Sequence, residues 1–386
     1  MNYVFISPHF PPNYKQFAVR LNEEGVTVLG IGSESYDLLD QELRSSLTEY
    51  YKVNNMNDYD QLLRACAYLT FKHGKIDKIE SHNEYYLELD AKLREDFNVP
   101  GLKSSDLKAL KYKSLTKELC ISSGISTTKG KVVRSFEESK SFIEEIQYPV
   151  CVKPEKSLGG EYTYRLNNDE ELNKFFIQKP DIDFILEEFI QAPIITFDGL
   201  VDKEGDLVSI SSMHYAAGHM EIILDNLDSI FYIQRTIPDD LLEKGKQILN
   251  VFNIKEGFFH LEFFRLPDDS LVFLDIKSRP PGGLCLDAIN FAEDSDIYKQ
   301  YARMIAGKEL LPILNKPYFS SFVGLKISPN PPKHNINEAR EIYKDMVVYN
   351  SPSPPEFAPL MGEYAVILRN PDQEVLKKAV DFIIER

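Results

Sequence analysis

Cysteine is scarce in this sequence, which has four cysteines among its 386 residues. Cys66, Cys120, Cys151 and Cys285 lie far apart, form no CxxC pair and have no clustered histidines beside them. This spacing excludes a disulfide framework and a cysteine-based zinc site. Cys151 and Cys285 neighbour residues of interest below, and we expect each to be a buried bystander thiol.

Basic residues are also in deficit, because 44 Lys and Arg stand against 60 Asp and Glu, for a net charge of −16. No overall basic field would attract a phosphate backbone, so the charge argues against a nucleic-acid partner. A local basic pocket for one small anion remains compatible with this composition.

Long apolar runs are missing as well, and no stretch of the chain is long and apolar enough to span a membrane. The first residues, MNYVFISPHF, have too short an apolar run and no basic flank for a signal peptide. We therefore expect a soluble, cytoplasmic protein with no membrane partner.

The length allows two or three domains, and the N-terminal part alternates strand and helix. Strands are predicted at YVFIS, VTVLGIG and IDKIES, and helices at NYKQFAVRLNEEG, DYDQLLRACAYLTFKHG and NEYYLELDAKLREDF. This βαβ series predicts a parallel sheet, but without GxGxxG it does not support a dinucleotide site. The loop SPHFPPN would lie at the carboxyl edge of the sheet, where ligands bind. His9 and Asn13 would then face a substrate, or belong only to a proline-stiffened surface loop.

A domain boundary is predicted at NVPGLKSSD, where Pro and Gly precede Ser and Asp residues that can cap a helix. One helix, LKALKYKSLTKELCISSG, should follow and end at Gly124. Later strands are predicted at YPVCVKPE, at DFILEEFI, and on either side of a DKEGD turn. The chain should end in α+β structure, with a strand and proline-rich loop at FVGLKISPNPP, a strand at YAVILR and a helix at PDQEVLKKAVDFIIER.

A predicted hairpin of EGFFHLEFFRL and SLVFLDIKS has charged and apolar residues at alternating positions. The two strands are joined by PDD, and if the turn centres on Asp268 and Asp269, Glu262 faces Asp275 across the strands and His260 faces Lys277. Alternation then puts these four side chains, continued by Phe264 and Phe273, on one face. The core face would hold the apolar residues Phe259, Leu261, Phe263, Val272, Leu274 and Ile276.

Two directly opposed carboxylates repel unless a positive charge lies between them. Mg²⁺, which takes carboxylate and phosphate oxygens together, is one candidate, and the ammonium of Lys277 is the other. A solvated surface ion cluster is the third interpretation of Glu262 and Asp275.

Two other segments offer groups that a nucleotide needs. In YPVCVKPEKSLGGEYTY, Lys153 and Lys156 supply charge, and Gly159 and Gly160 let backbone N–H groups approach a phosphate. The P-loop pattern is absent, and an ordinary hairpin has the same features. In FILEEFI, Glu187 can accept from an adenine amino group, although a solvated edge strand is equally compatible.

The order of these pieces resembles the ATP-grasp superfamily, and within it the carboxylate–amine ligases related to biotin carboxylase and D-alanine–D-alanine ligase. The resemblance extends over essentially the whole chain, including IESHNEYYLELDAKLREDFNVPG before the boundary. It implies an N-terminal parallel α/β domain (1–104), a small ATP-grasp lobe (105–192), a large lobe (193–310) and a C-terminal α+β portion (311–386).

The resemblance also implies roles for individual residues. Lys113 matches the lysine on the α-phosphate, Lys153 matches the second nucleotide lysine, and KSLGGE matches the loop over the β- and γ-phosphates. Glu187 matches the adenine acceptor, with the backbones of Glu188 and Ile190 beside it. The remaining matches are Glu262 and Asp275 as magnesium ligands, Arg279 at the acyl phosphate or substrate carboxylate, and Glu84 at the border of the site.

Three positions depart from the family pattern. Asp275 replaces a Glu, Lys277 replaces a metal-binding Asn, and Ile194 stands where a Glu usually holds the ribose. Because a cation cannot coordinate a cation, one Mg²⁺ is favoured over two. Lys277 either substitutes for the second ion during catalysis or occupies the metal site of a nucleotide-binding relic.

The implied function is ATP-dependent ligation of a small carboxylate to an amine through an acyl phosphate, with release of ADP and phosphate. Lys153, Lys277 and Arg279 would be the catalytic cations. His214 and His219 are candidate substrate contacts, or ordinary strand-end histidines. The alternatives are a nucleotide-binding protein without ligase activity, and an enzyme that carboxylates or makes carbamoyl phosphate. Dimers are frequent among such relatives, so a homodimer is among the open oligomeric states.

Overall fold

The N-terminal part of the computed structural model, which describes residues 1–156, 162–312 and 316–386, is a four-stranded parallel sheet in the order β3-β2-β1-β4. Its strands are β1 (Asn2–Ile6), β2 (Thr27–Gly32), β3 (Glu49–Lys52) and β4 (Lys78–Glu80). Its helices are α1 (Lys15–Glu23), α2 (Gln41–Ser46), α3 (Tyr59–His73) and α4 (Leu87–Asp96). The predicted parallel sheet is confirmed, whereas β3 and α2 were not predicted.

Both faces of this sheet are buried, which explains the continuous apolar character of its strands. Tyr3 and Phe5 of β1 pack with Phe17 of α1, while Val4 and Ile6 point to the opposite core under α3. The first of these cores also includes residues of α11, α12 and the large sheet described below. One face of the parallel sheet is thereby packed against the rest of the molecule.

The middle part of the chain contains an antiparallel sheet in the order β5-β8-β6-β7. Its strands are β5 (Gly130–Val133), β6 (Val150–Pro154), β7 (Tyr164–Leu166) and β8 (Phe184–Glu188). The helices around it are α5 (Ser104–Lys111), α6 (Lys113–Ser122), α7 (Phe136–Ile146) and α8 (Asp169–Gln178).

The single helix predicted after the boundary is wrong, because the chain breaks it into α5 and α6 at Tyr112. Tyr112 has an extended backbone (φ −97°, ψ 113°) and forms an isolated β-bridge with Lys156. The N–H of Lys113 then donates to the carbonyl of Glu155 at 3.0 Å. This pairing places Lys113 at the first position of α6, beside the end of β6.

The remaining strands form a nine-stranded antiparallel sheet in the order β14-β13-β9-β11-β12-β15-β17-β16, with β10 pairing to β9. They are β9 (Ile194–Val201), β10 (Leu207–Ser211), β11 (Met213–Tyr215), β12 (Ser229–Ile233), β13 (Gly257–Arg265), β14 (Leu271–Lys277), β15 (Phe319–Leu325), β16 (Val347–Pro352) and β17 (Tyr364–Asn370). The helices are α9 (His219–Leu224), α10 (Asp239–Val251), α11 (Cys285–Glu293), α12 (Ile297–Ile305), α13 (Ile336–Ile342), α14 (Ala358–Met361) and α15 (Gln373–Ile384). None of the helices in these described ranges has the length and apolar character needed to cross a membrane. The four-part division of the chain stays a prediction.

The close approach of β15 to the α14 segment requires a residue without a side chain. A Cβ on Gly324 would overlap the Met361 carbonyl, which belongs to the backbone and cannot rotate away. We expect Gly324→Ala to lower the free energy of unfolding by roughly 1–3 kcal/mol, the usual cost of overpacking. Denaturant unfolding measures this, with Gly282→Ala as control because a Cβ there meets nothing within 4 Å. Equal losses in the two variants would contradict the interpretation.

Candidate active site

The carboxylate hairpin has the predicted pairing at its charged end. Glu262 of β13 is the cross-strand partner of Asp275 of β14, and His260 is the partner of Lys277. The strands are joined by the three predicted residues, Pro267 to Asp269, but the predicted turn centre is wrong. A 2.9 Å bond from Leu266 N–H to the Ser270 carbonyl closes the loop, so the turn centres on Asp268. Its last residue, Asp269, has φ +67°, as is typical of three-residue hairpin loops.

A bulge at Leu274 restores the predicted pairing beyond this loop. The register shifts by one residue between Glu262 and Phe263, so that Phe263 pairs with Phe273. Phe273, predicted on the carboxylate face, is therefore in the core and 1% exposed. Val272, predicted in the core face, pairs instead with Phe264. The bulge thus re-aims the side chains next to the charged pair, as bulges near functional sites commonly do.

Asp275 lies in a strongly positive environment. The Lys277 ammonium is 3.1 Å from its Oδ2, and Lys277 itself is 9% exposed. Burial alone would raise the pKa of Asp275, but Lys277, Lys113 and Lys153 outweigh it and hold the pKa well below its usual range. Asp275 is therefore ionised throughout the physiological range.

A buried histidine, His260, lies beside Glu262 and links it to Asp198. His260 Nδ1 lies 2.5 Å from Asp198 Oδ1, and His260 Nε2 lies 3.5 Å from Glu262 Oε1. Burial lowers the pKa of His260, but the two carboxylates overcome this and raise it to about 9. Asp198 was missed by the sequence reasoning, because its position opposite His260 depends on the pairing of β13 with β9.

The carboxylate pair fits one Mg²⁺ ion. Glu262 Oε1 is buried and has no hydrogen-bond partner in the described structure, while the nearby Asp275 is ionised. Within the described ranges, no group of three or more His, Cys, Asp or Glu side chains is arranged to hold a metal ion by itself. Mg²⁺ is commonly held by one or two carboxylates together with substrate phosphates, which suits this donor set.

Three lysines lie near the pair, Lys153 on β6 and Lys113 and Lys117 on α6. Lys153 Nζ lies 2.6 Å from Glu187 Oε2, and Lys117 Nζ lies 2.8 Å from Glu187 Oε1. Burial, with help from Lys153 and Lys277, lowers the pKa of Lys113 to about 8, although Asp275 acts in the opposite direction. Lys117 was not predicted, although its spacing of four residues from Lys113 places both on one helix face.

The segment after β8 has the backbone groups expected beside an adenine. Glu188 is already engaged, since its N–H donates to the Lys129 carbonyl at 3.0 Å and its carboxylate accepts from the Lys129 N–H at 2.7 Å. Ile190 makes no backbone hydrogen bond to any described residue. Its N–H and C=O are therefore available to pair with a ligand.

The remaining predicted residues have more varied positions. Lys156 forms an ion pair with Glu88 of α4 at 2.8 Å, while Gly159 and Gly160 lie outside the described residues. Arg279 contacts Glu84, with Nε 3.2 Å from Oε2, so the structure brings these two predicted residues together.

The N-terminal loop and the strand-end histidines are placed as follows. Asn13 donates to the Gly283 carbonyl at 3.0 Å and to Asp287 at 2.8 Å, tying the loop after β14 to the N-terminal sheet. His9 Nδ1 is buried without a partner among the described residues. His214 lies in β11, and His219 begins α9, near enough to Glu262 to help lower its pKa against the effect of burial.

No family model matches the chain, but it is similar in sequence and in structure to known proteins. It is 25% identical over 203 residues to the carbamoyl phosphate synthase large chain of Agathobacter rectalis, a match covering 49% of this chain but 18% of that protein. The chain thus corresponds to less than a fifth of that relative's length.

Similar solved structures cover the whole chain. An L-amino acid ligase from Bacillus licheniformis has a TM-score of 0.73 at 13% identity, covering 100% of this chain and 98% of that one. N5-carboxyaminoimidazole synthetase from Staphylococcus aureus, complexed with ADP, has a TM-score of 0.73 at 15% identity, covering 100% and 97%. These neighbours are ATP-grasp proteins, and the predicted fold is confirmed. This chain therefore has the ATP-grasp fold.

Proposed function

We propose that this protein is an ATP-dependent ligase that joins a small carboxylate to an amine. One observation carries the proposal: Lys113, Lys153 and Lys277 surround Asp275 closely enough to control its ionisation, directly beside Glu262. Such a group of cations and paired carboxylates suits a Mg²⁺–triphosphate. The similarity to an L-amino acid ligase and a carbamoyl phosphate synthase supports the reaction class.

The nucleotide would lie between the smaller sheet and the hairpin. The adenine edge would pair with the backbone of Ile190, beside Glu188, and Glu187 would accept from the amino group. A carboxylate has about four lone-pair sites, so Glu187 can do this while contacting two lysines. Lys113 and Lys153 would contact the phosphates, with charge added by Lys156 and backbone N–H groups by Gly159 and Gly160.

The reaction proceeds in two displacements. A substrate carboxylate oxygen attacks the γ-phosphorus, forming an acyl phosphate and breaking the bond to ADP. The amine nitrogen then attacks the acyl carbon, phosphate leaves, and the nitrogen loses a proton. Glu262 and Asp275 would hold Mg²⁺, which when bound neutralises charge on the phosphate oxygens. Lys153 and Lys277 stabilise the same charge, and positioning with such stabilisation provides most of the catalysis in phosphoryl transfer.

Arg279 would orient the acyl phosphate or the substrate carboxylate. Its guanidinium is 3.2 Å from Glu84 through one nitrogen, and a further nitrogen donates to the Pro280 carbonyl at 2.6 Å. A guanidinium has five N–H donors, so donors remain for a planar anion such as a carboxylate or phosphate.

ATP affinity should fall at alkaline pH because of Lys113. Phosphate oxygens favour the protonated ammonium, and the pKa of Lys113 before binding is about 8. We expect the Kd to be constant near neutral pH and to rise by up to about tenfold per pH unit above this pKa. Calorimetric titration from neutral pH upward measures it. Lys113→Met should bind more weakly and lose this dependence, and an unchanged slope in that variant would refute the assignment.

The function is tested by ADP release from the purified protein with ATP, Mg²⁺ and pools of amino acids and small carboxylates. Release that depends on the pool supports a ligase, and separating the pool then identifies the substrates. Lys153→Ala is the control that should abolish release. ATP binding without release from any pool would refute ligation.

The second candidate is a nucleotide-binding protein without ligase activity. It is favoured by the contact of Lys277 with Asp275 at 3.1 Å, where the resemblance implies a metal ligand. The small carboxylate and amine substrates, a homodimer and a cytoplasmic location stay predictions.

A further inference from the structure

The ammonium of Lys117 is fully occupied by protein groups. Lys117 is 7% exposed, and its Nζ donates to the Thr128 carbonyl at 2.9 Å and also contacts the Thr128 hydroxyl. Its Nζ also donates to the Thr127 hydroxyl at 3.3 Å and forms an ion pair with Glu187 Oε1 at 2.8 Å. A lysine ammonium has three donors, so Lys117 has none left for a nucleotide phosphate.

Lys153 differs from Lys117 in the number of its partners. Of the described residues, only Glu187 lies within ion-pair distance of Lys153 Nζ, at 2.6 Å. Two of its N–H donors are therefore left for phosphate oxygens. Glu187, which is 2% exposed, joins the occupied lysine to the partly occupied one.

The packing around this carboxylate is specific. Gly130 of β5 is the cross-strand partner of Glu187. A Cβ on Gly130 would lie 3.0 Å from Glu187 Cγ and 3.0 Å from Lys117 Cε, closer than ordinary side-chain contact. The absence of a side chain at this position lets the Lys117–Glu187 pair pack directly against the strand.

We propose that Lys117 is a positioning residue that holds Lys153 in its phosphate-binding orientation by fixing Glu187. This inference rests on the proposed function, in which Lys153 contacts the ATP phosphates. Lys117 anchors one carboxylate oxygen to α6 and, through Thr128, to the start of β5. The other oxygen then presents a fixed acceptor to Lys153. Without Lys117, Glu187 would be a buried carboxylate with one ionic partner, free to turn and to carry the Lys153 ammonium with it.

A double-mutant cycle on ATP affinity tests this inference. The Kd of ATP is measured by calorimetry for the wild type, Lys117→Met, Lys153→Met and the double variant, with exposed Lys131→Met of β5 as matched control. We expect Lys117→Met to weaken ATP binding by roughly tenfold or more, as for loss of a charged hydrogen bond. The double variant should bind no more weakly than Lys153→Met, because both changes remove the same contact.

Comparing adenosine with ATP separates a role of Lys117 at the phosphates from a general loss of structure. Adenosine lacks phosphates, so it reports only the contact that Glu187 is proposed to make with the adenine, and Lys117→Met should weaken adenosine binding by less than ATP binding. Losses that multiply in the double variant, or equal losses for ATP and adenosine, would overturn the inference while leaving the proposed function intact. Failure of the wild type to bind ATP would instead overturn the proposed function, and the inference with it.

A second variant keeps the test decisive if Lys117→Met does not fold. Gly130→Ala retains every charge but displaces the Lys117–Glu187 pair by its added methyl group. It should weaken ATP binding by more than it weakens adenosine binding. ATP affinity equal to that of the wild type in Gly130→Ala would overturn the inference.

Discussion

Replacing Lys153 by Met should reduce pool-dependent ADP release by about 10²–10³-fold, the usual cost of removing one preorganised donor from a developing oxyanion. Lys153 projects from β6 between Glu187 and the carboxylate hairpin, and it helps hold the pKa of Asp275 low. The variant removes a positive charge from the phosphates and, among the described residues, leaves Lys117 as the one ion-pair partner of Glu187. Initial rates of ADP release, measured at saturating ATP, give the loss in kcat.

The control for this prediction must separate chemistry from folding. Lys131→Met removes an exposed lysine from β5 in the same sheet and should keep the wild-type rate. Thermal unfolding of Lys153→Met establishes whether the variant is folded at the assay temperature. A folded Lys153→Met with the wild-type rate would contradict the proposed role.

The sequence predicted the charged pair of the hairpin correctly, although the turn centre was wrong and the bulge was not predicted. Side chains in a strand alternate with period two, so the charges of Glu262 and Asp275 marked one face. The three-residue loop and the bulge at Leu274 each shift the register by one residue, and at Asp275 the shifts cancel. Apolar alternation cannot reveal a bulge, and Phe273 was therefore assigned to the wrong face.

Other features depended on contacts between distant segments. The stretch around Tyr112 has the composition of one helix, and its break arises from pairing with Lys156. Lys117 and Asp198 belong to the site because α6 packs near β8 and because β9 pairs with β13. A linear pattern contains no information on those pairings, so both residues were missed although Lys113 and His260 were recognised nearby.

The exchange Lys277→Asn should separate the two proposed functions, and we expect it to lower ADP release by about 10²-fold. Lys277 is 3.1 Å from Asp275 and depresses the pKa of that carboxylate more than any other cation does. A neutral amide cannot replace this charge at the phosphates, although its carbonyl oxygen is a suitable Mg²⁺ ligand. The rate and its dependence on Mg²⁺ concentration are measured together for wild type and variant.

The direction of the change decides what Lys277 does. In a ligase that uses one Mg²⁺ and this lysine, the variant loses rate, and added Mg²⁺ restores it at best partly. In a nucleotide-binding relic, the variant gains Mg²⁺-dependent binding or turnover that the wild type lacks, which would contradict our expectation. Asp275→Asn is the matched control, because it removes the carboxylate but keeps the lysine. In the ligase it should weaken Mg²⁺-dependent binding, whereas in the relic there is no such binding to lose. A loss of rate in Lys277→Asn therefore indicates a cation that assists phosphoryl transfer, and a gain of Mg²⁺ dependence indicates one that blocks a metal site.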